Sequence, residues 1–292
     1  MAVVSSVISD ITPKLTVLKQ LRPTGWSEKD RTDITREIDL EALAIYEAQL
    51  VEELSGTKAM ICSEENPAGK PLSDVQSFPE LLFIIDPVDN TDGGVHGSPA
   101  YTAISVYDRL AQTVVAAAVG DLYRREVYYA DEEVGALWFA APVQFDQSNR
   151  LTPNAQARLP GAYVSMYSLK PSRLRHSANH ERLLESLGEH GRVDNVGGAA
   201  SLCKVAAGYF DAAVETAKGF QVYDLFPGAF ILMKAGGICI RPDTGQPVSL
   251  SLAIHNREHI SSQLKTRQPF VAAANSSLAF EILAALNARS QQ

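Results

Sequence analysis

The sequence predicts an α/β protein in two layered halves, and three observations carry that prediction. Five apolar residues, Leu81 to Ile85, end on Asp86-Pro87, as a buried strand does when its far end presents an acid. Segments rich in Val, Tyr and Thr follow at 101–107, 113–119 and 126–130, broken by Arg109, Gly120 and Arg124-Arg125, which reads as a largely antiparallel sheet. From residue 163 onward, short apolar strands alternate with helical periods, the pattern of α/β layering.

Taken in order, residues 1–18 lack a basic stretch ahead of a long apolar core and do not read as a secretion signal. Ile34, Ile38, Ala42, Ile45 and Leu50 recur at helical spacing over 28–54, with charged residues between them. A break near 56–58 precedes an apolar run, Ala59 to Cys62, and a polar loop, Glu64 to Asp74. Pro87 follows Asp86, so the chain is not expected to continue there as an ordinary central strand. The polar, Pro-containing stretch 141–160 reads as a connection, dividing the chain into 1–145 and 146–292. Beyond it the sequence predicts strands at Tyr163–Tyr167, Arg192–Val196, Asp211–Glu215 and Ile238–Arg241. Helices are predicted at His180–His190, Ala199–Ala207, 225–235 and Ser276–Ala288.

Of the 292 residues, 46% are hydrophobic, enough for a large core. The formal charge of −8 argues against a nucleic-acid backbone or an anionic membrane surface as the main partner. An anionic small substrate would then need a local cation, and a metal ion is the natural one. Cys62, Cys203 and Cys239 are far apart and each lies in an apolar run, as buried reduced thiols do. No stretch approaches the roughly 20 apolar residues of a membrane helix, and the cytoplasm is the expected location.

Four acids, Glu64, Asp86, Asp89 and Asp224, sit at element ends rather than on helix faces. In a tight turn Asp86, Asp89 and the intervening Val88 carbonyl can point the same way, and hard cations such as Mg²⁺ select such oxygens. If a helix begins after Asn90, its first N–H groups are unpaired and can hold a phosphate. Thr91 is placed to hold a water against the metal. Taken alone, Asp-Pro-Val-Asp-Asn-Thr is also an ordinary turn sequence.

The segment IIDPVDNTDGGVHGSPAY resembles a signature of the inositol monophosphatase family, Mg²⁺-dependent and lithium-sensitive phosphatases. Ser63-Glu64-Glu65 looks like that family's Gly-Glu-Glu. Gly197-Gly198-Ala199-Ala200 with its following helix resembles the substrate-side Gly-Ser-Ala-Ala segment. Tyr223-Asp224, with Gly228 and Ala235-Gly236-Gly237, resembles the second signature, and Val271 to Asn275 resembles the last strand and turn. These motifs run in order from about residue 30 to 288.

The resemblance implies a layered αβαβα sandwich of the inositol monophosphatase and fructose-1,6-bisphosphatase type, and a homodimer. It implies that Glu64, Asp86 and the Val88 carbonyl bind one metal, and that Asp86, Asp89 and Asp224 bind another. The cofactor would be Mg²⁺, two or three ions, with Mn²⁺ as a substitute. The Asn90 and Thr91 N–H groups would hold phosphate, and Glu215 and the loop Gly197–Ala199 would contact the substrate. The reaction implied is hydrolysis of a small phosphate monoester, such as an inositol or related sugar or polyol phosphate.

The sequence departs from the family pattern at Asn90 (Gly), at Asp92-Gly93-Gly94 and at Tyr223 (Trp). The chain from Glu215 to Asp224 is about two residues longer. These changes leave the metal acids intact and open the substrate: a sugar bisphosphate, a phosphoadenosine nucleotide, or a phospho-ligand bound without turnover are the alternatives. The pairs His176/His180 and His255/His259 have zinc-like helical spacing but no evident third ligand. His96 reads as ordering its loop, Lys170, Arg173 and Arg175 as a solvated face, and Lys29–Arg31 as akin to the family's mobile first loop.

Overall fold

The computed structural model describes residues 1–21, 27–72, 78–95, 98–141, 148–167 and 180–288. His96, Lys170, Arg173, Arg175, His176 and the side chain of Asp92 lie outside the described residues. The helices are α1 (Ala2–Leu21), α2 (Glu28–Glu53), α3 (Thr91–Val95), α4 (Glu181–Leu187), α5 (Gly198–Ala206), α6 (Val222–Lys234), α7 (Arg257–Leu264) and α8 (Ser276–Asn287). The first eight strands are β1 (Ala59–Ser63), β2 (Lys70–Pro71), β3 (Leu81–Asp89), β4 (Tyr101–Asp108), β5 (Thr113–Asp121), β6 (Glu126–Asp131), β7 (Gly135–Ala140) and β8 (Asn149–Arg150). They form one sheet in the order β2-β1-β3-β4-β5-β6-β7-β8, parallel at β1–β3 and antiparallel elsewhere.

The remaining strands are β9 (Tyr163–Met166), β10 (Arg192–Asp194), β11 (Ala212–Gln221), β12 (Ile238–Ile240) and β13 (Arg267–Ala273), ordered β10-β9-β11-β13-β12. This second sheet is mixed: β9 pairs in parallel with β10 and β11, while β13 runs antiparallel to β11 and β12.

Strand alternation builds the layers. Ile61, Phe83, Ile85 and Ile104 pack with α1 and α2, whereas their neighbours Met60, Cys62, Leu82 and Ile84 pack with α5 and α6 on the other face. α6 is buried along most of its length because both sheets cover it. α8 closes the far side against β13 and α4. The result is the αβαβα order that the motifs imply. Each large side chain fully buried at this central layer, Phe226 and Leu225 among them, contributes about 1.5–3 kcal/mol of transfer energy.

Several elements differ from the sequence reading. α1 is a full helix, although its Val, Ile and Thr content and Pro13 speak for other structure. Its inward positions, Val4, Val7, Ile8, Ile11 and Leu15, are fully buried, so packing outweighs propensity. β3 does not stop at Asp86 but runs through Pro87 to Asp89, and the register with β4 slips between Asp86 and Asp89. The missing proline N–H is thereby accommodated at an irregularity rather than at a strand end. β11 continues past Glu215 to Gln221 with a register shift between Glu215 and Phe220. β7 and α7 went unread, and β8 extends the first sheet into the stretch read as a connection. Lys29–Arg31 opens α2, where Ser27 and Asp30 form a reciprocal capping box.

Candidate metal centre

The parallel pairing of β1 with β3 sets Ser63 opposite Ile85, so the residues that follow, Glu64 and Asp86, emerge side by side. The Glu64 N–H donates to the Ile85 carbonyl at 3.2 Å and fixes that junction. The register slip then brings Asp89 to the same side as Asp86. Asp224 arrives from the other half of the chain, in the first turn of α6, where a carboxylate is favoured by the helix dipole. One carboxylate oxygen from each of Asp86, Asp89 and Asp224 lies within 4.8 Å of the others. Glu64 and Val88 line the same cleft, whose volume is about 620 Å³.

Packing three carboxylates together is costly. Burial, then the charges of its neighbours Asp89, Asp224 and Glu64, push the Asp86 carboxyl well above the ordinary carboxylate range. Burial, then Asp224 and Glu64, do the same to Asp89, opposed by the backbone N–H groups of Asn90 and Ala199. Asp89 Oδ2 is buried without a hydrogen-bond partner among the described residues. A divalent cation with oxygen ligands removes both costs, so the residues present fit such an ion.

The surrounding backbone is built for this approach. Gly198 has φ +62°, and a Cβ there would stand 1.4 Å from Asp89 Oδ2. Asn90 takes φ 62°, the left-handed conformation that asparagine tolerates, and its Nδ2 donates to the Pro99 carbonyl at 2.7 Å. Thr91 begins α3 as expected. Its Oγ1 lies 2.6 Å from the Val88 carbonyl and 2.8 Å from Asp39 Oδ1. The hydroxyl has one proton for these two acceptors. Asp39 is pushed up to about 7, chiefly by burial, against the Thr91 bond and with Glu65 and Glu64 adding repulsion. Thr91 Oγ1 donates to one of the two acceptors at a time, and its bond to Asp39 favours the Asp39 carboxylate.

Sequence reading missed Asp39. Its signal was present: Thr35 and Asp39 stand four apart on α2, and Asp39 adjoins the buried stripe position Ile38. Tyr167 and Arg267 line the cleft as well and carried no local pattern. Gly198 lines the cleft, whereas Gly197 packs against the Tyr167 ring and Ala199 lies buried behind. Glu215 stands apart from the cleft lining. It is 2% exposed, and its Oε1 accepts from the N–H groups of Ala217, Lys218 and Gly219 at 2.9, 2.9 and 3.2 Å. His255 and His259 have rings 5.9 Å apart on an exposed surface, with no third ligand among the described residues.

The model of the inositol monophosphatase family matches residues 2–285. This chain belongs to that family. Among family members, the inositol-1-monophosphatase of Rhizobium meliloti is 28% identical over 185 residues, 63% of this chain and 65% of that protein. The inositol-1-monophosphatase of Mycobacterium leprae is 32% identical over 170 residues, 58% of this chain and 55% of that protein. The matched segments thus span less than two thirds of either relative. Among solved structures, the Thermotoga maritima IMPase has a TM-score of 0.67 at 18% identity, covering 97% of this chain and 94% of that one. Mycobacterium tuberculosis SuhB has a TM-score of 0.66 at 22% identity, covering 97% and 92%. At these identities the likeness establishes the family fold. Among the described residues no helix is long and apolar enough to cross a membrane.

Proposed function

We propose that this chain hydrolyses a small phosphate monoester with Mg²⁺ held by Asp86, Asp89, Asp224, Glu64 and the Val88 carbonyl. The observation that carries this reading is the trio of carboxylate oxygens within 4.8 Å of one another, contributed by both halves of the chain. The unpartnered Asp89 Oδ2 beside a glycine supports it further. When bound, the ions supply Lewis-acid polarisation of the phosphoryl group and a lowered pKa for water. The chain does the rest. Glu64 and Thr91 Oγ1 orient the attacking water, and Asp39 accepts a hydrogen bond from the Thr91 hydroxyl. The Thr91 backbone N–H at the start of α3 meets a phosphate oxygen, while the Asn90 N–H is turned to the Asp89 carboxylate. The two sheets, locked through buried α6, keep Asp224 against Asp86 and Asp89, so the reacting groups are positioned before substrate arrives.

The test is release of inorganic phosphate from a panel of inositol, sugar and nucleoside phosphates, with Mg²⁺ and with a chelator. Release that requires Mg²⁺ is expected; absence of release from every ester at saturating Mg²⁺ would refute the reading. A cytoplasmic homodimer belongs to the same proposal, and solution mass checks the dimer.

A further inference from the structure

Six carboxylates line the cleft, those of Asp39, Glu64, Glu65, Asp86, Asp89 and Asp224, against one cation among the described residues, Arg267. Arg267 opens β13 directly opposite Gln221, the residue that caps α6 three positions before Asp224. Its Nη1 donates to the Gly219 carbonyl at 3.1 Å, and among the described residues it has no carboxylate partner. Gly219 makes that bond possible. It has φ +74°, and a Cβ there would lie 2.2 Å from the Gln268 backbone carbon, so the β11 bulge rests on β13. The guanidinium is thus held at the cleft, and among the described residues most of its five donors are unused. A planar fork in this state matches a phosphate or carboxylate group.

Resting on the hydrolysis reading above, we infer that the cleft selects phosphate monoesters bearing a second anionic group, and that Arg267 holds that group. The ester phosphate occupies the acid end with the cation, and the second anion reaches across to β13. Glu215, which the family resemblance would set against the substrate, has its Oε1 held by its own backbone.

The test compares wild type, Arg267→Met and Arg267→Lys on two substrates of one sugar, the monophosphate and the bisphosphate, by kcat/KM for phosphate release. A monophosphate bearing a carboxylate serves as a third substrate. Calorimetry measures binding of the matching phosphonates in Mg²⁺. Arg267→Met is expected to cut the preference for the bisphosphate by about 10- to 100-fold, the range of a hydrogen bond between charged groups. Arg267→Lys should retain part of it. The carboxylate ester following the bisphosphate supports a general anion site; the bisphosphate responding alone supports a phosphate site. An unchanged preference, or equal weakening of mono- and bisphosphate, overturns the inference. If wild type releases phosphate from no ester, the hydrolysis reading fails, and the calorimetric preference still decides the role of Arg267.

Discussion

The end of β3 and the bulge of β11 each bury a carboxylate, and the protein treats them in opposite ways. At Glu215 one oxygen receives three backbone N–H groups within a few residues of its own chain. At Asp89 the Asn90 and Ala199 N–H groups leave Oδ2 without a partner among the described residues, and carboxylate oxygens of Asp86 and Asp224 lie within 4.8 Å of one of its own. Burying an ion without partners costs several kcal/mol, whereas burying one with charge-assisted hydrogen bonds is close to self-sufficient. The contrast separates a carboxylate that builds a loop from carboxylates that await a cation, although both lie deep in the same family motif set.

The same change at both places should therefore give opposite results. Asp89→Asn or Asp224→Asn is expected to lower Mg²⁺-dependent phosphate release roughly a thousandfold, through loss of several kcal/mol of metal-borne stabilisation. In chelator, the same variants should unfold at higher urea than wild type, because a repelled charge has gone. Unchanged turnover would break the contrast at its acid end. Gly198→Ala sharpens it: the added Cβ collides with Asp89 Oδ2 at a left-handed backbone position. A stability loss of about 2–3 kcal/mol, with weakened Mg²⁺ binding, is expected in urea and calorimetric titrations. Glu215→Gln should cost about 1–2 kcal/mol of stability with the Mg²⁺ affinity retained. Weakened Mg²⁺ affinity there, without loss of stability, would break the contrast at its other end.

The smallest effect concerns pH. Asp39 has its carboxyl raised from 3.8 to about 7 in the folded chain. A raised acid contributes stability that is fully present below its unfolded value and is lost as pH climbs through the folded one. Metal-free protein should lose stability between about pH 4 and pH 7 through this group, and Asp39→Asn should flatten that part of the profile in urea unfolding.

The motifs made much of the acid site legible. Asp86 ends an unbroken apolar run, and Asp224 sits beside Tyr223 at a helix start, so both are visible locally. What sequence could not show is that β3 continues to Asp89 through a slipped register, because the slip is set by pairing with β4. α1 was hidden because its β-branched residues and Pro13 oppose helix, and only burial against the sheet and α2 decides the matter. Arg267 and Tyr167 share the cleft by way of sheet register and the β11 bulge, which no spacing in the chain encodes.

Anomalous diffraction from crystals soaked in Mn²⁺ tests the metal centre most directly. Density for an ion at about 2.0–2.6 Å from oxygens of Asp86, Asp89 and Asp224 is expected, with Asp89 Oδ2 among the ligands. An empty site between these three at saturating Mn²⁺, with their carboxyls joined by shared protons instead, would contradict it.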